Sequence, residues 1–401
     1  MQCSQSGEGE IVVIPSELEH EMIAWRHYLH AHPETGFEEH KTSEFIAQTL
    51  ASFGLQVHRG IGGTGVVGTL STNGGSRAIG LRAEMDALNI QEAVDRPYAS
   101  RYPGKMHACG HDGHMAMLLG AAKLLSQDAG FSGTVHFVFQ PAEEHGRGAQ
   151  AMLADGLLKR FPMAEIYGLH NMPGMPFGSF ATRPGGIMAS EDNFVIRIDG
   201  RGTHAARPHM GIDPVVVGAE IVLALQTIVA RKMDPVEHTV VSVTEFITDG
   251  IRNVLPGTVL LKGDTRSYSP AVRAAIEERM AMIVTGVCNA HGAGHSFEYT
   301  HEFEPTINWP ENVAYAVAAA AQALIEVASG SIDGNCAPLL ASEDFGAFLS
   351  EIPGNFMFLG SGTEGESGSV PLHNSNYDFN DRLLALGASY FAALARTRLQ
   401  P

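Results

Sequence analysis

Apolar positions recur with two different periods along this chain, and the period switches from segment to segment. Leu18, Met22, Trp25 and Leu29 follow three- and four-residue spacing, the stripe of one helical face. Ser16-Glu17-Leu18-Glu19 reads as a capping box opening that helix, and Pro33 closes the segment. Ala78–Arg82, Thr134–Gln140, Glu165–Leu169 and Asn355–Leu359 are short β-rich runs and predict strands. Asp112–Ser126, Asn312–Ala328 and Arg382–Arg396 carry helical patterns. Alternation of this kind predicts an α/β domain with helices packed on a mostly parallel central sheet.

The middle of the chain follows another order. Asn193–Asp199 reads as a strand, and Asp213-Pro214 as an N-cap with proline at the first helical position, opening a helix to about Lys232. Strands at Thr239–Phe246 and Thr258–Thr265 follow, then a helix from about Pro270 to Asn289 and a strand at His295–His301. β-α-β-β-α-β is the order of a ferredoxin-like unit. Residues 190–303 are therefore expected to form an inserted α+β domain, a lid or dimerisation module, within a host made of 1–189 and 304–401, with junctions near Ala189 and Glu304. Two helices on four strands leave one sheet face uncovered, a candidate for pairing with a second subunit. There is no internal repeat.

Composition narrows the classes. The 401 residues are 44% apolar and 17% charged, a globular balance, and the length suggests two or three domains. Forty-four acidic against 26 basic residues give a net charge of −18, which repels phosphate backbones and anionic membranes. Neither nucleic acid nor membrane is an expected partner; a small anion remains compatible, because local cations outweigh a distant field. Cys3, Cys109, Cys288 and Cys336 are too few and scattered for a disulfide framework. The first residues lack the pattern of a signal peptide, and the apolar stretch Val215–Leu225 is broken by Glu220, so cytoplasm is the expected compartment.

Nineteen histidines matter by their positions. His107-Ala-Cys109-Gly-His111-Asp112-Gly-His114 lies where a loop meets a helix, and Gly110 permits the kink that turns a thiolate and imidazoles toward one ion. Gln140-Pro-Ala-Glu143-Glu144-His145 ends a predicted strand, where adjacent side chains point opposite ways, so one carboxylate can bind metal while its neighbour reaches water. Strand ends are also where open α/β sheets place their sites. His170 closes another strand, His373 lies in Pro371-Leu-His373-Asn374, and Glu84 and Asp86 end a third strand two residues apart. Taken singly, each has a bland alternative: a buried cysteine, a solvated acidic turn, a satisfied structural histidine.

Together these motifs resemble the M20 peptidase family, in its amidohydrolase branch of hippurate hydrolases and auxin-conjugate hydrolases. The resemblance spans nearly the whole chain, from Trp25-Arg26-His27 and His32-Pro33-Glu34 through Gly202-Thr-His204-Ala-Ala-Arg-Pro-His209 to Phe379-Asn-Asp. It implies a metal-dependent exopeptidase-like catalytic domain holding two divalent ions (Zn, Mn, Ni or Co). Cys109 would bridge them, with His111, Glu144, His170 and His373 as further ligands. Glu143 would be the general base and Asp86 an orienting aspartate. His204 would donate to the oxyanion from the inserted domain of a partner subunit. Asn253 and Arg266 are candidates for the substrate carboxylate, although a structural salt bridge is an equal reading of Arg266. Glu84 and Asn89 depart from the branch, where aspartate and proline are usual. The expected reaction is hydrolysis of an N-acyl amino acid by a homodimer or higher homo-oligomer. A dipeptidase or aminopeptidase is the alternative, and a non-catalytic metal-binding protein a more distant one.

Overall fold

The computed structural model describes residues 14–72, 74–325 and 330–400; Cys3, the signal-peptide reading and the last turn of the helix expected to reach Ala328 lie outside them. The first helix, α1 (Ser16–Ala31), buries Leu18, Met22 and Leu29 as its stripe requires. The capping box does not form. Pro15 is the N-cap and, among the described residues, no side chain caps the helix; Pro15 O instead accepts from Glu19 N–H at 3.1 Å. Proline fixes φ near its helical value, so the helix starts without help from Ser16.

After α2 (His40–Ser52), strands β1 (Gln56–Ile61), β2 (Gly65–Ser71), β3 (Ala78–Glu84), β4 (Thr134–Gln140), β5 (Ile166–Pro173) and β6 (Phe180–Ala181) enter one sheet, with helix α3 (His111–Gln127) between β3 and β4. The order is β1-β2-β4-β3-β5, then Gly354–Gly362, β6 and Ile332–Asp333. From β4 through β3 and β5 to Gly354–Gly362 all pairings are parallel, while the β1 edge is antiparallel. β4 and the strand Gly354–Gly362 are buried almost end to end, which is why they read as continuous apolar runs. Leu81, Phe137, Tyr167 and Met357 from the sheet join Met22, Met117 and Phe391 from the helices in one core.

The chain divides into two compact units: one runs up to Ile187 and takes in Ile307–Ala337 and everything from Asp344, the other is Met188–Thr306 with Pro338–Glu343. The short second piece leaves no mark in the sequence pattern. It joins through backbone: Ala189 N–H donates to Leu339 O and Ala341 O at 3.2 and 3.0 Å.

The inserted unit carries four antiparallel strands in the order Thr239–Thr248, Thr258–Ser267, Glu191–Asp199, Gly294–Phe303, which is the ferredoxin-like arrangement. Asp213 caps the helix Pro214–Thr227, accepting from Val215 N–H at 2.9 Å, and a π-helical turn extends it to Lys232. Among the described helices this is the one long and apolar enough to cross a membrane, at a mean hydropathy of 1.6, despite Glu220. Val217, Ile221, Leu225 and Ile228 pack from it onto Phe194, Ile196, Ile198 and Leu261 of the sheet. The opposite sheet face presents Asn193, Arg197, Lys262 and Glu298 beside Val195 and Leu260.

Candidate metal centre

β4, β3 and β5 are neighbours, and their carboxyl ends bring Glu143 and Glu144, Glu84 and Asp86, and His170 to one edge of the sheet, the edge where open parallel sheets form sites. α3 begins there at His111, behind Gly110 at φ 93°. A Cβ on Gly110 would lie 2.3 Å from Asn171 Oδ1 and 2.6 Å from Tyr377 OH, so this position needs glycine for both conformation and space. Glu143 and Glu144 are not on extended backbone as expected. β4 stops at Gln140, Ala142 turns left-handed (φ 50°, ψ 42°), and the two carboxylates ride a 3-10 turn, Glu143–His145. His373 is also left-handed, at φ 61°, fixed by its N–H donating to Ala108 O at 2.8 Å. Such conformations cost non-glycine residues about 1–3 kcal/mol and persist where surroundings enforce them, commonly at functional sites.

The five expected ligands converge. Donor atoms of Cys109, His111 and His170 lie within 4.8 Å of one another, and so do those of Cys109, Glu144 and His373; Cys109 is common to both sets. Cys109 Sγ is 3.4 Å from His170 Nε2. His170 Nδ1 donates to Asn171 O and His111 Nδ1 to Asp86 O, both at 2.8 Å, which aims each Nε2 lone pair into the cluster. His111 Nε2 is buried without a hydrogen-bond partner, 3.9 Å from Glu143 Oε2 and 4.0 Å from Glu144 Oε1. His373, half-exposed, closes the outer side with Nε2 at 3.4 Å from Glu144 Oε1.

Electrostatics test whether cations fit here. Burial, then the charges of Glu144 and Glu143, push the Cys109 thiol well up. Burial opposes charge on His111, yet the Asp86 hydrogen bond and the charges of Glu84, Asp86 and Glu144 push it up to about 10. Burial and nearby His114 push His170 well down, leaving it neutral. The pocket thus stabilises positive charge, and a cation would take the place of the His111 proton. Sulfur, imidazole and carboxylate together suit zinc-like transition ions better than Mg or Ca. The residues fit the group.

Asp86 is buried, with Oδ2 accepting from Glu144 N–H at 3.0 Å and Oδ1 3.4 Å from His111 Nδ1, so it touches both neighbours of the cluster. Glu84 does not share that role. Its carboxylate pairs with Arg82 and with His114 Nδ1 at 2.9 Å, one layer back. That layer largely escapes sequence reading: Arg82 Nη2 donates to Asp344 Oδ1 at 3.0 Å, and Asn171 lies between His114 and Tyr377. Only the histidine run and the Ser342-Glu343-Asp344 segment hint at it.

Within the inserted unit, His204 is exposed on a ribbon pairing Thr203–His204 with Val254–Leu255, and its Nδ1 accepts from Ala206 N–H at 3.0 Å. Asn253 is beside it, its carbonyl accepting from Ala205 N–H at 3.0 Å. Arg266 is apart from them. Its guanidinium is engaged by Glu191 at 2.9 Å, Asp264 at 3.0 Å and Ser342 Oγ at 2.6 Å, the ion-pair reading rather than a free carboxylate clamp.

Residues 80–397 match peptidase family M20/M25/M40. The hippurate hydrolase of Campylobacter jejuni is 40% identical over 382 residues, covering 94% of this chain and 97% of that protein. An N-acyl-L-amino acid amidohydrolase of Geobacillus stearothermophilus is 42% identical over 305 residues, covering 75% and 82%. A solved dinuclear metal-binding M20 peptidase from Bacillus subtilis superposes with a TM-score of 0.83 at 31% identity, covering 96% of this chain and 99% of its own.

Proposed function

This chain belongs to peptidase family M20/M25/M40 and is a hydrolase of amide bonds, and we propose that it cleaves N-acyl amino acids, with Glu143 as general base. The convergence of Cys109, His111, Glu144, His170 and His373 with Glu143 alongside carries this reading. Cys109 would be shared between two divalent ions, Zn, Mn, Ni or Co, with His111, His170, Glu144 and His373 as the remaining ligands. When bound, such ions acidify water and polarise a carbonyl. Glu143, nearly buried beside His111, takes the proton from water and returns it to the departing nitrogen. Asp86 keeps His111 and the Glu144 backbone in place. His204, from the inserted unit of a second subunit, donates to the developing oxyanion, and Asn253 beside it meets the substrate carboxylate. Arg266 serves that carboxylate only by exchanging its present ion pairs, so Asn253 is the stronger candidate.

The experiment is hydrolysis of hippurate, N-acetyl amino acids and free dipeptides by wild type and Glu143→Ala, both metal-reconstituted and assayed for metal. Acyl substrates should turn over, and the variant should lose on the order of 1,000-fold or more in kcat with metal content unchanged. Turnover of dipeptides alone would replace the substrate class. Retained activity in the variant would remove Glu143 from its role.

A further inference from the structure

Glu39 sits at the N-cap of α2, but its side chain makes no capping bond to the helix's first N–H groups. The side chain is fully buried instead. Its Oε1 accepts from Ala142 N–H at 2.8 Å and its Oε2 from Thr64 Oγ1 at 2.6 Å. A buried carboxylate is costly unless its hydrogen bonds are satisfied, and one of these comes from the residue just before Glu143. Ala142 is the buried, left-handed residue that ends the path from β4 into the Glu143–His145 turn. Two other carboxylates clamp the same turn: Asp344 accepts from Gln140 Nε2 and Ala149 N–H, and Asp86 from Glu144 N–H. Of the three, Glu39 holds the bend itself.

We propose that Glu39 is a positioning residue for the amide hydrolysis: by accepting the Ala142 N–H it maintains the left-handed bend that directs the Glu143 carboxylate. The inference rests on Glu143 being the base. With the acceptor gone, Ala142 relaxes toward the right-handed or extended regions natural to alanine, and the Glu143 side chain swings with it. Displacement of a catalytic group by about 1 Å costs on the order of 100-fold in rate.

Glu39→Gln keeps a carbonyl for Ala142 and an amide for Thr64, whereas Glu39→Leu removes both partners at similar volume. At matched metal content, Glu39→Leu should lose about 100-fold in kcat with KM within about threefold of wild type, and Glu39→Gln should stay within about fivefold. In the metal-free protein labelled with 15N-alanine, the Ala142 amide should exchange at least about tenfold faster in Glu39→Leu than in wild type or Glu39→Gln. Should Glu39→Leu not fold, Glu39→Asp, one methylene short of Ala142, is measured the same way and should lose kcat likewise. The proposal is overturned if the folded Leu or Asp variant keeps wild-type kcat, or if the Gln variant is as impaired as the Leu variant. Glu143→Ala runs in parallel. An active Glu143→Ala removes the base itself, while an inactive one beside a fully active Glu39→Leu removes only the positioning role.

Discussion

Gly110, in its left-handed conformation, sets the start of α3 against Asn171 and Tyr377 and so fixes His111 beside the cluster. Cys109, His111 and Gly110 could be read from the sequence because metal-binding types crowd within a few positions and the glycine between them signals a kink. Glu39 could not, since its partner Ala142 is 103 residues away and nothing local marks the bond. The Arg82–Asp344 pair spans 262 residues and is equally silent. Gly110 gives the sharpest test at this scale. Gly110→Ala places a methyl against Asn171 and Tyr377 and forces alanine to φ 93°. The metal-free variant should be about 2–5 kcal/mol less stable by urea denaturation, and its metal affinity should fall at least about tenfold in a chelator competition. An unchanged midpoint and affinity would mean that the α3 start is not rigid.

At the scale of elements, the buried strands were visible because both their faces are covered. The two-residue strands β6 and Ile332–Asp333 were not, since pairs that short carry no period. The 3-10 turn after β4 departs from the extended backbone the pattern predicts, because Ala142 gives no warning of positive φ. β4 also contains a titratable group its neighbours keep neutral. His136 is buried, 3.0 Å from Thr69 Oγ1, with the edge of Phe161 close by. Burial, followed by the charge of His58, lowers it to about 4, although a bond to Pro162 O opposes the shift. The unfolded chain has the ordinary value of about 6.5. Unfolding therefore takes up a proton between these values, so this stability is complete above about pH 6.5 and is lost as pH falls toward 4. Replacing His136 with Gln should flatten that decline. Relative to wild type, the variant should gain about 2 kcal/mol between pH 7.5 and pH 5 in urea titrations. Parallel pH profiles for the two proteins would show that His136 does not carry the dependence.

For the whole molecule, the expected association surface reaches the edge of the inserted sheet. The uncovered sheet face of the inserted unit is mixed: Asn193, Arg197, Lys262 and Glu298 share it with Val195, Leu260 and Ile247. Apolar exposure continues along the edge strand Thr239–Thr248, where Phe246 and Ile247 are 42% and 46% exposed, and onto the adjacent helix, where Val216 and Leu223 are 54% and 71% exposed. An unpaired strand edge beside an apolar helix face favours pairing with another chain. A homodimer through this edge is the proposed state, and Leu223→Glu with Phe246→Lys should yield monomers by light scattering at micromolar concentration. If His204 acts across that dimer, kcat should fall with the dimer fraction. Wild-type mass or wild-type activity in the double variant would each count against the arrangement.

The sequence by itself determined the α/β host, the inserted ferredoxin-like unit, the candidate metal-ligand residues and the family, because periodicity and clustered motifs are local properties of the chain. Tertiary structure decided which partners each carboxylate meets. Glu84 and Asp86 are two residues apart, but one faces Arg82 and His114 while the other faces His111 and Glu144. Glu39, at the start of α2, is buried under the turn that carries Glu143. Such roles depend on partners brought together by packing of the sheet, and a linear pattern carries no record of distances across it.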